Sequence, residues 1–479
     1  MKRRLAGAMS VLAIVFMVVV DVLATCGGGG GGGTGGMGGG GGMGSEVVYQ
    51  VPWKILNATD AASPGGLVVY WFPASANELK NSSLRNSRLL SLYASQCVTM
   101  GIADIGTPLG QKFAADEKLP VAVLAQSDGK VIGKAEGEAG KLKVGQVEKL
   151  LEAEMKQRES GVKDTLNAAK DAMKRGEKDA AIEKFKAVAD QKCLFPKQAK
   201  DAANNLKKLG VAGVDPVPDA PNFDPSTGAT IEKALKAGLM AENMEDYTGA
   251  EKLYAKARAM DPADPAPLRY LGELYRHQTG DWDKARVTFE AILRMPADPL
   301  SRAVALHGLG KMTIHDGAFL EGLHLMEKSA EVFPLALTYR NLAVYWHSEG
   351  DRVKADAYTK KALALDPDEP FNLVFAAAFL AGGGGAQGER ALKVAAQNEG
   401  LKCASYNLAA IYAQLGQRNK ALALLKRHFF EYEKYDAVRS KEMMEARVDA
   451  VFASIVKDPE FISLTSGADG KLPMPRDRH

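Results

Sequence analysis

Four cysteines and seven histidines are the side chains best suited to chemistry in this chain of 479 residues. Cys26, Cys97, Cys193 and Cys403 lie far apart, with no CxxC pair and no Cys/His grouping at metal-ligand spacing. A disulfide framework is therefore not expected. Cys97, beside an apolar run, reads as a small buried residue and not as a nucleophile. His277, His307, His315 and His347 recur along one stretch. No two of them stand at i, i+4 with a supporting carboxylate, the spacing that puts two imidazoles on one helix face for a metal. No Ser-His-Asp set or paired carboxylates stand out. The glycines of 27–44 have neither a strand before them nor a Lys-Ser/Thr after them, so they do not cradle phosphate. No cofactor, no metal and no enzymatic activity is expected.

Apolar residues make up 46% of the chain, ample for a core, and its length suits several domains or a solenoid with attachments. The net charge of +3 is spread over interleaved acids and bases, which leaves no footprint for nucleic acid. Residues 1–25 pair a basic start, Lys2-Arg3-Arg4, with an apolar run from Leu5 to Ala24, the pattern of a bacterial secretory signal or membrane anchor. Leu23-Ala24-Thr25-Cys26 resembles a lipobox, which implies cleavage before Cys26 and lipidation of it. Thr25 replaces the usual Gly, Ala or Ser, and Asp21 is an awkward charge, so an uncleaved anchor and ordinary cleavage stay open. Residues 26–44 form a glycine-rich tether with a reach on the order of 20–25 Å. The expected location is exported and membrane-anchored, on the periplasmic or envelope side.

Residues 45–158 read as a small α/β domain. Strands are expected at 66–72, 98–104 and 119–125, then a turn at Ser127-Asp128-Gly129-Lys130 into a strand at 131–133. Helices are expected at 78–97, 113–118 and 147–155. This order resembles the thioredoxin fold, with Pro120 matching the proline that faces the family's active site. The position of the family's CxxC reads Phe72-Pro73-Ala74-Ser75-Ala76-Asn77-Glu78, with Ser75 and Glu78 standing where the cysteines would be. Without a thiolate there is no exchange chemistry. The resemblance therefore implies a non-catalytic thioredoxin-like domain.

Residues 162–210 read as a helical hairpin plus a further helix, and 211–228 as a Pro/Gly linker that alternatively packs along the array. From Ile231 to Asp264 the pattern is two amphipathic helices. Small residues stand at Gly238, Ala250 and Ala257, with Tyr254 between the helices and a stop at Asp261-Pro262. The pattern recurs about every 34 residues through 229–435, with one inserted residue at Thr279-Gly280-Asp281 and a degenerate unit at 371–394. These units resemble the tetratricopeptide repeat (TPR). Residues 436–465 read as the capping helix an array needs, and 466–479 as a disordered tail. The fold class is thus multidomain: an α-helical TPR solenoid preceded by a small α/β thioredoxin-like domain.

In TPR proteins the first helix of each hairpin lines a groove. That register implies a partner-binding face of Arg269, Arg276, His277, His307, Lys311, Arg340, Asn341, His347, Tyr406 and Asn407, with His315 alongside. Basic and amide groups there suit an acidic protein or peptide segment. The expected function is a membrane-tethered extracytoplasmic scaffold. The alternative is a divergent thiol–disulfide redox protein working through Cys97 or a partner's thiols.

Overall fold

The computed structural model describes residues 48–56, 65–138, 140–215, 217, 223–365, 367, 370–433 and 436–466. The expected signal or anchor, Cys26, the tether and the tail beyond 466 lie outside them.

The N-terminal part is built on a five-stranded sheet of β1 (Lys54–Ile55), β2 (Leu67–Phe72), β3 (Thr99–Ile102), β4 (Val121–Gln126) and β5 (Val131–Glu136), in the order β1-β3-β2-β4-β5. β1 and β2 run parallel to β3, while β4 pairs antiparallel with β2 and β5. β2 is apolar throughout because it sits mid-sheet with both faces covered. The Leu119–Pro120 peptide is cis. The helix expected over 78–97 is instead two, α1 (Ala76–Asn81) and α2 (Arg88–Ser95), with a 3-10 turn between them. Ser75, Ser82 and Ser87 each accept a backbone N–H and restart the chain. The helix expected at 113–118 lies earlier, as α3 (Pro108–Phe113), because Thr107 caps it and Pro108 suits its first turn. Nothing in the local sequence of Lys54–Ile55 predicts β1.

α4 (Val144–Lys174) runs unbroken across the boundary expected between 158 and 162. Gly161 alone costs only about 1 kcal/mol relative to alanine. The i, i+4 ion pairs Glu152–Lys156, Glu154–Arg158 and Glu159–Lys163 help to offset it. The N-terminal half of α4 buries Val147, Leu151 and Met155 against the sheet. Its C-terminal half packs Leu166 and Ala169 on α5 (Lys178–Ala189) and α6 (Pro196–Lys208). The sheet and the first hairpin therefore share one rod.

The disulfide Cys97–Cys193 ties the end of α2 to the loop after α5, with the two Cα atoms 5.8 Å apart. This corrects the expectation of no disulfide framework and of a buried Cys97 thiol. The described parts of the 211–228 segment pack. Val211 and Val214 lie on the α4–α6 core, and Phe223 meets Tyr93 edge to face.

The main array follows as helix pairs: α7 (Gly228–Asn243) with α8 (Tyr247–Met260), α9 (Ala266–Glu273) with α10 (Trp282–Arg294), and α11 (Pro299–His315) with α12 (Phe319–Val332). Then come α13 (Ala336–Ser348) with α14 (Arg352–Leu365), α15 (Pro370–Ala381) with α16 (Gly385–Gln397), and α17 (Ser405–Gln414) with α18 (Arg418–Arg427). The residue expected as an insertion at 279–281 is absorbed just before, by a π turn over Leu274–Gln278 that extends α9. The unit expected to be degenerate forms a regular pair, whose turn uses left-handed Gly384 and Gly385. α19 (Asp436–Val448), a 3-10 turn and α20 (Pro459–Thr465) end the described chain, with Phe452 and Phe461 buried.

Small residues set how closely the helices approach. A Cβ on Gly238 would strike the Tyr254 ring, and a Cβ on Gly272 or Gly308 would strike Phe289 from either side. The first helices lie sandwiched: α11 and α17 are buried almost all round, whereas α10 buries only Ala285, Phe289 and Ile292. First helices form the inner side of the array and second helices the outer.

Candidate functional site: the inner face of the array

The inner face carries the residues singled out above, and most of them already have partners within the chain. At its N-terminal end, Arg269 donates to the Val48 carbonyl and stacks near Tyr270, with its charge enclosed. The segment before β1 lies here, and Tyr49 Oη donates to Asp264 Oδ2 at 2.8 Å. Arg88, from α2, pairs with Asp261 and with Asp264 (Nε to Oδ2, 2.6 Å), and its Nη1 donates to the Asp224 carbonyl at 2.6 Å. Asp261 also accepts the Asp224 amide at 2.8 Å. This buried cluster bolts the N-terminal sheet domain to the first turn between hairpins.

Arg276 and His277 both turn to Glu273, at 3.0 and 3.2 Å. Burial pushes the Glu273 carboxyl up, but Arg276 and His277 outweigh it and hold it well below the usual range. Burial, with Arg276 beside it, lowers His277. His307 stands in a relay. Asn341 Nδ2 lies 3.2 Å from its Nε2, and its Nδ1 is 3.1 Å from Thr338 Oγ1. Thr338 meets Ser329 at 3.3 Å, which donates to the Ala303 carbonyl at 2.7 Å. The chain is satisfied by a neutral imidazole that donates from Nδ1 and accepts at Nε2. Burial agrees, pulling the His307 pKa well down. Arg340 bonds Asn372 and covers the Phe371 ring at 4.6 Å.

Further along, Lys311 Nζ donates to Tyr345 Oη at 2.8 Å. Burial lowers Lys311, but Tyr345, Glu445 and Glu442 together raise it above the ordinary lysine range. His315 Nε2 is 3.4 Å from Glu445 Oε1, and Tyr406 Oη donates to Asp449 Oδ2 at 3.1 Å. His347 is half-buried, edge-on to Phe379, and Asn407 is half-buried.

The expected site residues thus do line one side of the array. Arg269, Arg276, His307, Lys311, Arg340, Asn341 and Tyr406 are buried there, however, while His277, His347 and Asn407 keep partial exposure. The open basic groove expected from the register is filled by α2 and residues 48–49 at one end and by α19 at the other. The sequence reading missed Arg88, Asp261, Asp264, Glu442 and Glu445. The acidic spacing of Glu442 and Glu445 on one face of α19, with Asp449 just past its end, was the available signal.

At the α1 end of the sheet, Ser75 Oγ accepts the Glu78 amide at 3.1 Å, and Glu78 Oε2 accepts the Ala74 amide at 2.6 Å. Burial raises the Glu78 carboxyl. Among the described residues, no cluster of His, Cys, Asp and Glu is placed to hold a metal, and no helix is long and apolar enough to cross a membrane.

Residues 239–309 match the tetratricopeptide repeat family. The chain is similar to the CTR9 homolog protein of Arabidopsis thaliana, at 26% identity over 234 residues, 39% of this chain and 21% of that protein. It therefore spans about a fifth of the length of this curated relative. Among solved structures it is similar to pilF of Pseudomonas aeruginosa, with 15% identity, 44% of this chain and 95% of that one covered, and a TM-score of 0.31. A thermophilic TPR protein of Thermus thermophilus gives 20% identity, 45% and 98% coverage, and a TM-score of 0.27. The family match runs from late in α7 through α8, α9 and α10 into α11, and helix pairs of the same form continue beyond it to α18.

Proposed function

We propose that this protein is a non-enzymatic, membrane-tethered scaffold on the extracytoplasmic side of a bacterial envelope, taking protein partners on the inner face of its repeats. The repeat array carries the reading, since stacked helical repeats present the extended surface that protein partners use. Support for the tether is the basic-apolar start, Cys26 and the glycine run, read from sequence alone. The N-terminal domain is, in this reading, a thioredoxin-like module without catalysis. Ser75 and Glu78 occupy the places of the two cysteines and are engaged in capping backbone amides. Cys97 is bonded to Cys193, so the redox alternative would run through that disulfide or through a partner's thiols.

Two measurements test this. Detergent-phase partitioning of the full chain from its own cells should place it in the membrane fraction, and recovery in the aqueous phase would overturn the tether. Crosslinking in those membranes should capture a protein partner that is lost with His347→Ala plus Asn407→Ala. Capture unchanged by that pair would remove the inner face as the binding surface.

A further inference from the structure

The C-terminal helix α19 does more than close the last hairpin. Its sequence puts Glu442, Glu445 and Asp449, just past its end, on one face at i, i+3 and i+7. All three turn inward. Glu442 Oε2 lies 3.0 Å from His428 Nε2, Glu445 Oε1 lies 3.4 Å from His315 Nε2, and Asp449 Oδ2 accepts from Tyr406 at 3.1 Å. These partners belong to different units. His428 follows α18, Tyr406 sits on α17, and His315 ends α11, three hairpins upstream of α17–α18. A helix that only capped the array would meet the last hairpin alone. α19 reaches back along the inner face, where Lys311 also feels Glu445 and Glu442, and His347 feels Asp449.

Polar contacts carry part of the anchoring. Met443 and Ala446 are buried in the C-terminal core, Met444 packs partly buried against it, and Val448 is exposed. α20, by contrast, is fixed by the fully buried Phe461. A docked helix held by hydrogen-bonded carboxylates beside a few apolar side chains is the kind a competitor presenting the same carboxylates can replace.

We propose that α19 is an internal occupant of the inner face, and that the partner taken there is an acidic amphipathic helix that presents carboxylates at i, i+3 and i+7 and displaces it. This rests on the protein-binding reading above, and it names the chemistry of the partner.

The test uses a fluorescent synthetic peptide of sequence 436–450 titrated against the full chain in detergent, read by anisotropy. The wild-type chain should bind it at least ten-fold more weakly than a chain with Glu442→Gln and Glu445→Gln, whose own α19 is loosened. A peptide with glutamine at those two places should not bind either chain. Met443→Ser loosens α19 without touching a charged pair and should also expose the site, which guards against a variant that fails to fold. Equal binding to wild type and both variants would overturn occlusion by α19. Equal binding of the glutamine peptide would overturn recognition through carboxylates. If the peptide fails on both variants while crosslinking still captures a partner that depends on His347 and Asn407, the displaceable-helix proposal falls and the scaffold reading stands.

Discussion

Replacing Arg88 by methionine would leave Asp261 and Asp264 inside the protein without their cation. Removing one member of a buried charge cluster typically costs about 3–5 kcal/mol, because the remaining charges stay desolvated. Denaturant melts of Arg88→Met should show a loss of that order, and a loss under 1 kcal/mol would mean that water reaches the cluster. Glu242 makes a second residue-scale prediction. Burial raises its carboxyl from the ordinary 4.5 to about 7, with Tyr254 donating to it. Its folded pKa lies above its unfolded one, so its contribution is full below about pH 4.5 and is lost as pH rises through about 7. His277 and His307, lowered by burial, act oppositely below their ordinary 6.5, so the whole-protein slope is mixed. The difference between wild type and Glu242→Gln isolates the carboxyl. Wild-type stability relative to the variant should fall between pH 5 and 7, and parallel curves would refute the shift. At this scale the sequence reading singled out Ser75 and Glu78, and both side chains cap backbone amides at the start of α1. It could not pair Cys97 with Cys193, because pairing depends on where α4 and α5 together carry the second cysteine. Reducing that bond, or replacing both cysteines by serine, should cost about 2–4 kcal/mol, since it closes a loop between residues 96 positions apart. Melts with and without reductant would measure it.

Among elements, the hairpins were legible because their small residues are a packing requirement written at a fixed period. Gly272 and Gly308 hold Phe289 between them, and Gly238 holds Tyr254. Gly272→Ala should therefore destabilise by about 1–3 kcal/mol, the usual cost of overpacking a filled core. Differential melting would show it, and a neutral effect would mean that α9 and α10 part without penalty. Other boundaries were not legible. α4 runs past Gly161 because local ion pairs and packing at both ends outweigh one weak residue. The break between α1 and α2 comes from three serine caps that an apolar count does not weigh. β1 is two residues long and exposed, held by its pairing with β3, which local composition does not reveal.

Taken whole, the molecule is a repeat array whose inner face is met from both ends by its own chain. Arg88 and Tyr49 hold the N-terminal domain at one end, and Glu442, Glu445 and Asp449 bring α19 in at the other. The register of basic residues from Arg269 to Asn407 was readable from the repeats, but their burial was not. Burial depends on contacts between residues more than a hundred positions apart, such as His315 and Glu445. Hydrogen exchange of the α19 amides in the intact chain tests this account most directly. Residues 436–448 should be protected, though less strongly than α17, and lose that protection in Glu442→Gln plus Glu445→Gln, while α17 keeps its own. Rapid exchange of α19 in the wild-type chain, at the rate of an undocked helix, would contradict the account.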